Sequence, residues 1–212
     1  MQLEQIYTHI DHTVLKQTTT WAQVQKLCDE AIQGKAASVC IPPCYVAKAK
    51  EYTNGAMPIC TVIGFPNGYQ TTMVKLVETK EALANGADEI DMVINLCDVK
   101  NGEWDKVSHE IKALKHACGN RVLKVIVETC YLTEEEKVRL CQIVTEAKAD
   151  YIKTSTGFGS AGATVDDVIL FRKECGPDVK IKAAGGIRTV EDAENMLSAG
   201  ADRLGSSALL AR

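Results

Sequence analysis

Eight short apolar runs, at residues 9–11, 38–41, 59–63, 89–93, 122–127, 151–153, 180–183 and 203–205, recur along the chain with amphipathic stretches between most of them. Their starts fall roughly 20 to 35 residues apart, the length of a βαβ unit. Most runs are rich in Val and Ile and nearly continuous in hydrophobicity, as parallel strands covered on both faces must be. Helices are expected at 21–34, 72–86, 104–118, 133–148, 164–175 and 190–200. Thr133 with Glu136, and Thr189 with Asp192, have the form of capping boxes. Gly34, Gly86 and Gly200 stand where left-handed C-caps belong. The phrase Gly-Ala-Asp closes a helix and opens a strand twice, in ANGADEID and SAGADRLG, as one structural unit reused.

Such alternation allows an open doubly wound sheet or a closed (β/α)8 barrel. No glycine-rich dinucleotide fingerprint follows the first strand, which weighs against the open sheet. Eight repeats and a phosphate-like signature at the last two strands favour the TIM barrel, and that is the fold expected. No linker or composition shift divides the 212 residues, so one domain spanning 1–212 is expected, with a last helix barely begun at 206–212. A formal net charge of -4 and the lack of a basic run give no support to nucleic-acid binding. Nine scattered cysteines read as reduced thiols acting as small hydrophobes, and hence as a cytoplasmic setting. No secretory leader or membrane span is expected.

In a barrel the chemistry collects at the C-terminal ends of strands. The segment AKADYIKTSTGFG ends a short strand in Lys153, followed by Thr154, Ser155, Thr156 and Gly157; Thr156 and Gly157 are candidates for substrate contact. A second lysine, Lys182, ends the next strand in VKIKAAGGIR. Neighbouring strands lie about 4.8 Å apart, so two inward lysines there would be close neighbours. Two ammonium groups in one confined site disfavour each other's charge, and a lysine that loses its proton is a nucleophile able to form a Schiff base. Asp91, inside the apolar EIDMVIN, is the carboxylate expected to face the pair and move protons. Glu128 is a weaker candidate for the same work. Asp11, in HIDHT, either orders the lysines or binds a sugar hydroxyl.

Gly185 and Gly186 in AAGGIR, with Ser206 and Ser207 in LGSSAL, fall after the seventh and eighth strands, where barrel phosphate sites form. Backbone N–H groups in a glycine turn and at a helix start cradle an anion. His9, His12, His109 and His116 lack ligand spacing with carboxylates, so no metal site is expected. Cys40 either packs as a small core residue or faces the mouth of the site.

Together IDHT (10–13), GADEIDMVIN (86–95), IKTSTG (152–157), KAAGGIRT (182–189) and GSSALL (205–210) closely resemble the deoxyribose-phosphate aldolase family over nearly the whole length. The resemblance implies Lys153 as the Schiff-base lysine and Asp91 and Lys182 as proton donor and acceptor. It also implies no cofactor, a small phosphorylated sugar as substrate, and a homodimer. The chain departs from some relatives at Phe158-Gly159, where they place another lysine. Two rivals remain open on the same fold. One is another phosphosugar Schiff-base aldolase or isomerase; the other is a non-catalytic phosphometabolite-binding barrel.

Overall fold

Each apolar run becomes a strand. In the computed structural model, which describes residues 2–210, these are β1 (Ile10–Thr13), β2 (Ser38–Ile41), β3 (Ile59–Ile63), β4 (Glu89–Val93), β5 (Val122–Ile126), β6 (Tyr151–Lys153), β7 (Lys180–Ala184) and β8 (Arg203–Ser206). They close in sequence order into one parallel barrel, with β8 returning to pair with β1. Six helices expected from the pattern cover the outside: α2 (Trp21–Gly34), α4 (Thr72–Ala84), α6 (Trp104–Cys118), α7 (Glu134–Glu146), α8 (Val165–Glu174) and α9 (Val190–Ser198). Three shorter ones were not legible: α1 (Leu3–Tyr7), α3 (Val46–Thr53) and α5 (Leu96–Lys100). The last helix expected at 206–212 is absent as far as residue 210, where β8 gives way to a bend; residues 211 and 212 lie outside the described residues. Among the described residues no helix is long and apolar enough to cross a membrane.

The strands use their two faces differently. Ile10, Val39, Ile59, Ile90, Leu123, Val125, Ile152, Ile181 and Leu204 point outward into one large apolar cluster. There they meet helix residues such as Val24, Leu27, Leu114, Leu140 and Phe171, all buried. Each Val, Leu, Ile or Phe so buried contributes about 1.5–3 kcal/mol. Side chains alternate along a strand, so the intervening residues point into the barrel, and these include Asp11, Cys40, Cys60, Glu89, Asp91, Lys124, Lys153, Lys182 and Arg203. The runs looked apolar on both faces, but the inner face is largely charged.

The helix signals also resolve locally. The capping boxes at Thr133 and Thr189 form, and a third forms at Thr20 with Gln23. Gly86 and Gly200 have positive φ as expected. Gly34 does not; it is the last residue of α2, and Lys35 takes the left-handed position with φ 55°. What the chain needs at residue 34 is smallness, because an added Cβ would lie 2.3 Å from Leu210 Cδ2.

Candidate active site

Register brings the site together. Lys153 is the paired neighbour of Lys182 across β6 and β7, and Asp91 that of Lys124 across β4 and β5. Both lysines expected at the site converge on one oxygen. Asp91 Oδ2 accepts from Lys153 Nζ at 2.7 Å and from Lys182 Nζ at 2.6 Å. Lys124 Nζ takes the other oxygen, Oδ1, at 2.8 Å. Asp11 reaches past β8 to pair with Lys182 at 2.5 Å, and its Oδ1 accepts from Ser38 Oγ at 2.7 Å and Arg203 Nη1 at 2.5 Å. Glu89 pairs with Lys124 at 2.5 Å and with Arg203 at 3.3 Å. Asp11, Asp91 and Lys182 lie within their strands, in the barrel interior, and not at the strand ends.

Lys124, Glu89, Arg203 and Cys60 were missed by sequence reasoning. A readable signal existed, since Glu89 and Asp91 stand two apart in one strand and Lys124 is centred in VLKVI. That spacing puts charges on a single inward face. The Asp11 carboxylate touches Lys182, Ser38 and Arg203, the contacts that its ordering alternative calls for.

The electrostatics follow from burial opposed by contact. Full burial pushes the Asp91 pKa up, but the ammonium groups of Lys124, Lys153 and Lys182 hold it well below the usual carboxylate range. Asp11 behaves alike, with burial outweighed by Lys182, Lys124 and Arg203. Conversely, burial disfavours charge on Lys182, but Asp11 and Asp91 raise its pKa above the ordinary value. Lys124 is raised as well, against its burial, by Asp91, Cys60, Asp11 and Glu89. Asp11 and Asp91 stay ionised, and Lys124 and Lys182 stay cationic.

Other expected residues sit apart from this cluster. Glu128 does not join it. In a left-handed conformation (φ 56°), it accepts from Thr156 N at 3.0 Å and from Thr156 Oγ1, and so braces the loop after Lys153. Gly157, Gly185 and Gly186 all have positive φ, and Gly162 packs so closely on Gly185 that a Cβ at 162 would lie 2.2 Å from the Gly185 carbonyl. Ser206 Oγ donates to Ile187 O at 2.9 Å, tying the two halves of the phosphate-like signature together, while Ser207 is exposed. Cys40 is fully buried, which removes the mouth-facing alternative. Phe158, half-exposed, stands edge-on to Phe65 with centroids 5.3 Å apart. His12 bonds to Glu30 at 2.9 Å outside the barrel, His9 faces the Asp202 carbonyl at 3.0 Å, and His109 and His116 are exposed on α6.

Fold and cluster define a class: a (β/α)8 barrel protein with an interior site of amines shared among carboxylates. The family model described as DeoC/LacD family aldolase matches residues 6–212, and the chain belongs to that family of aldolases. It is 58% identical to a deoxyribose-phosphate aldolase of Clostridium botulinum (strain Alaska E43 / Type E3) over 98% of this chain and 94% of that one. It is 55% identical to one of Clostridioides difficile (strain 630), with the same coverage. The solved tetrameric deoxyribose phosphate aldolase of Aeropyrum pernix superposes with a TM-score of 0.91 at 31% identity, over 99% of this chain and 89% of that one. Orotidine 5'-phosphate decarboxylase of Pyrococcus horikoshii, at 13% identity and a TM-score of 0.67, covering 92% of this chain and 88% of its own, shares the fold alone.

Proposed function

We propose that this chain reversibly cleaves 2-deoxy-D-ribose 5-phosphate to D-glyceraldehyde 3-phosphate and acetaldehyde through a Schiff base on Lys153. The observation that carries this reading is the sharing of one Asp91 oxygen by Lys153 and Lys182. The cluster holds four cationic side chains, Lys124, Lys153, Lys182 and Arg203, against three carboxylates, Asp11, Glu89 and Asp91. Shedding one proton balances it. Lys153 is the amine placed to meet a substrate: its side chain is 4% exposed where those of Lys124 and Lys182 are 0%, and its one carboxylate partner is shared.

The neutral Lys153 amine adds to the C1 aldehyde of the open-chain sugar. Lys182, held cationic, gives its proton to the carbinolamine hydroxyl, which leaves as water and yields the iminium. Asp91 accepts the proton of the C3 hydroxyl and returns it to Lys182. The C2–C3 electron pair moves into the iminium as an enamine, and glyceraldehyde 3-phosphate departs. Lys182, so recharged, protonates the enamine at C2 and recovers a proton as water hydrolyses the iminium, which releases acetaldehyde and restores the amine. The protonated imine is the electron sink, so the reading requires no cofactor. The turns at Gly185–Gly186 and at Ser206–Ser207, with Thr156 and Gly157, are the proposed grip on the remote phosphate, whose binding positions the reacting carbons. A single domain over 1–212, a cytoplasmic setting and a homodimer belong to the same proposal.

Two experiments test it. A coupled assay should detect glyceraldehyde 3-phosphate released from deoxyribose 5-phosphate. Borohydride reduction with acetaldehyde should leave a two-carbon adduct on Lys153 and none on Lys153→Ala. Unmodified parent protein would favour a non-catalytic phosphometabolite barrel, and an adduct on another lysine would reject the assignment of Lys153.

A further inference from the structure

Beneath the amine cluster lies a pair of thiols that the reaction does not use. Cys40 on β2 and Cys60 on β3 are register partners, both point into the barrel, and both are fully buried. Cys60 Sγ lies 3.1 Å from Asp91 Oδ1 and 3.2 Å from Lys124 Nζ. The two sulfurs and an Asp91 carboxylate oxygen all fall within 4.8 Å of one another. Ligands bonded to a tetrahedral ion at about 2.0–2.3 Å stand roughly 3.3–3.8 Å apart, so three preplaced donors need only small shifts to close on one.

The geometry points to an inhibitory site for a soft divalent cation such as Zn²⁺ or Cd²⁺, held by Cys40, Cys60 and Asp91. Two thiolates select a soft ion over Mg²⁺ or Ca²⁺, which prefer oxygen cages. Binding exchanges two S–H protons for one divalent ion, so the net charge of the interior is unchanged. Cys60 also lies near Asp11 and Glu89, but that group offers one sulfur, not two. An ion would have to enter past the residues that cover the thiols. The thiols pack under Leu15, Val62 and Phe65, and these three residues also line a cavity of about 440 Å³ at the barrel mouth, beside Phe158. An ion seated there competes with Lys124 for Asp91 Oδ1 and turns the carboxylate away from Lys153 and Lys182, which stops turnover without touching the sugar.

The test starts from a Cys44→Ser/Cys97→Ser protein, which removes the two exposed thiols. Cd²⁺ should raise a thiolate-to-cadmium ultraviolet band that saturates at one ion per chain, and activity should fall with it and return on adding EDTA. Mg²⁺ should do neither. Adding Cys40→Ala should abolish the band and raise the half-inhibitory Cd²⁺ concentration at least about tenfold, with metal-free activity retained. X-ray absorption at the cadmium edge, on the protein with Cys40 intact, should count two sulfur neighbours. A band that survives Cys40→Ala, saturation without a band, or an all-oxygen shell would each overturn the site. The band and the sulfur count do not depend on aldolase activity, so they stand apart from the test of the reaction.

Discussion

Asp91 is the residue on which the site turns, because each of its oxygens serves a different partner: Oδ1 serves Lys124, and Oδ2 serves Lys153 and Lys182 together. Removing one cation changes the balance of charge, and that is measurable. Lys182→Met takes a positive charge from a cluster with one in excess, so the cluster no longer needs to shed a proton to reach balance. The acid limb of the kcat/KM profile should move to higher pH, and kcat should fall on the order of 10²–10⁴-fold with loss of the proton donor. An unmoved pH profile would count against shared charge. Lys153, Lys182 and Asp91 were legible because a charge at or inside a short apolar run is conspicuous. Lys124 and Arg203 belong to the same cluster, but Arg203, at the start of its strand, reads in isolation as a solvated side chain. Register places both in the cluster, since Lys124 pairs with Asp91 and Arg203 with Lys182; Lys124 was also signalled by its place in VLKVI, whereas nothing in the sequence marks Arg203.

At the scale of elements, the chain pattern located all eight strands and six of the helices. The short helices α1, α3 and α5, of five, eight and five residues, are too brief to display a helical period. One tie between elements was invisible as well. Lys75 on α4 is buried against Glu110 on α6, with Nζ at 2.8 Å from both carboxylate oxygens and 2.8 Å from the Val93 carbonyl at the end of β4. Burial lowers the Lys75 pKa and raises that of Glu110, so each is charged chiefly by virtue of the other. Breaking such a pair strands a buried charge. Lys75→Met should cost about 3–5 kcal/mol in denaturant unfolding, and Lys75→Met/Glu110→Leu should recover most of it. A single variant as stable as the parent would show that the pair contributes little to the α4–α6 seam.

For the whole molecule, the same interior sets the response to acid. Asp11 and Asp91 have ordinary values of 3.8 and are held below that in the folded barrel. The unfolded chain therefore takes up protons first. Their contribution is complete above about pH 5 and declines as pH falls toward the lower folded values, by up to about 1.4 kcal/mol per pH unit for each group. Tm should be level near neutrality and drop steeply below about pH 4; a flat Tm down to pH 2 would refute the linkage.

The closure of β8 onto β1 has a consequence for how the protein comes into being on the ribosome. Asp11 emerges with the first strand, but Arg203, which bonds its Oδ1, arrives with the last. A nascent chain halted before residue 203 carries the amines and acids of the site without the guanidinium that joins Asp11 to Glu89.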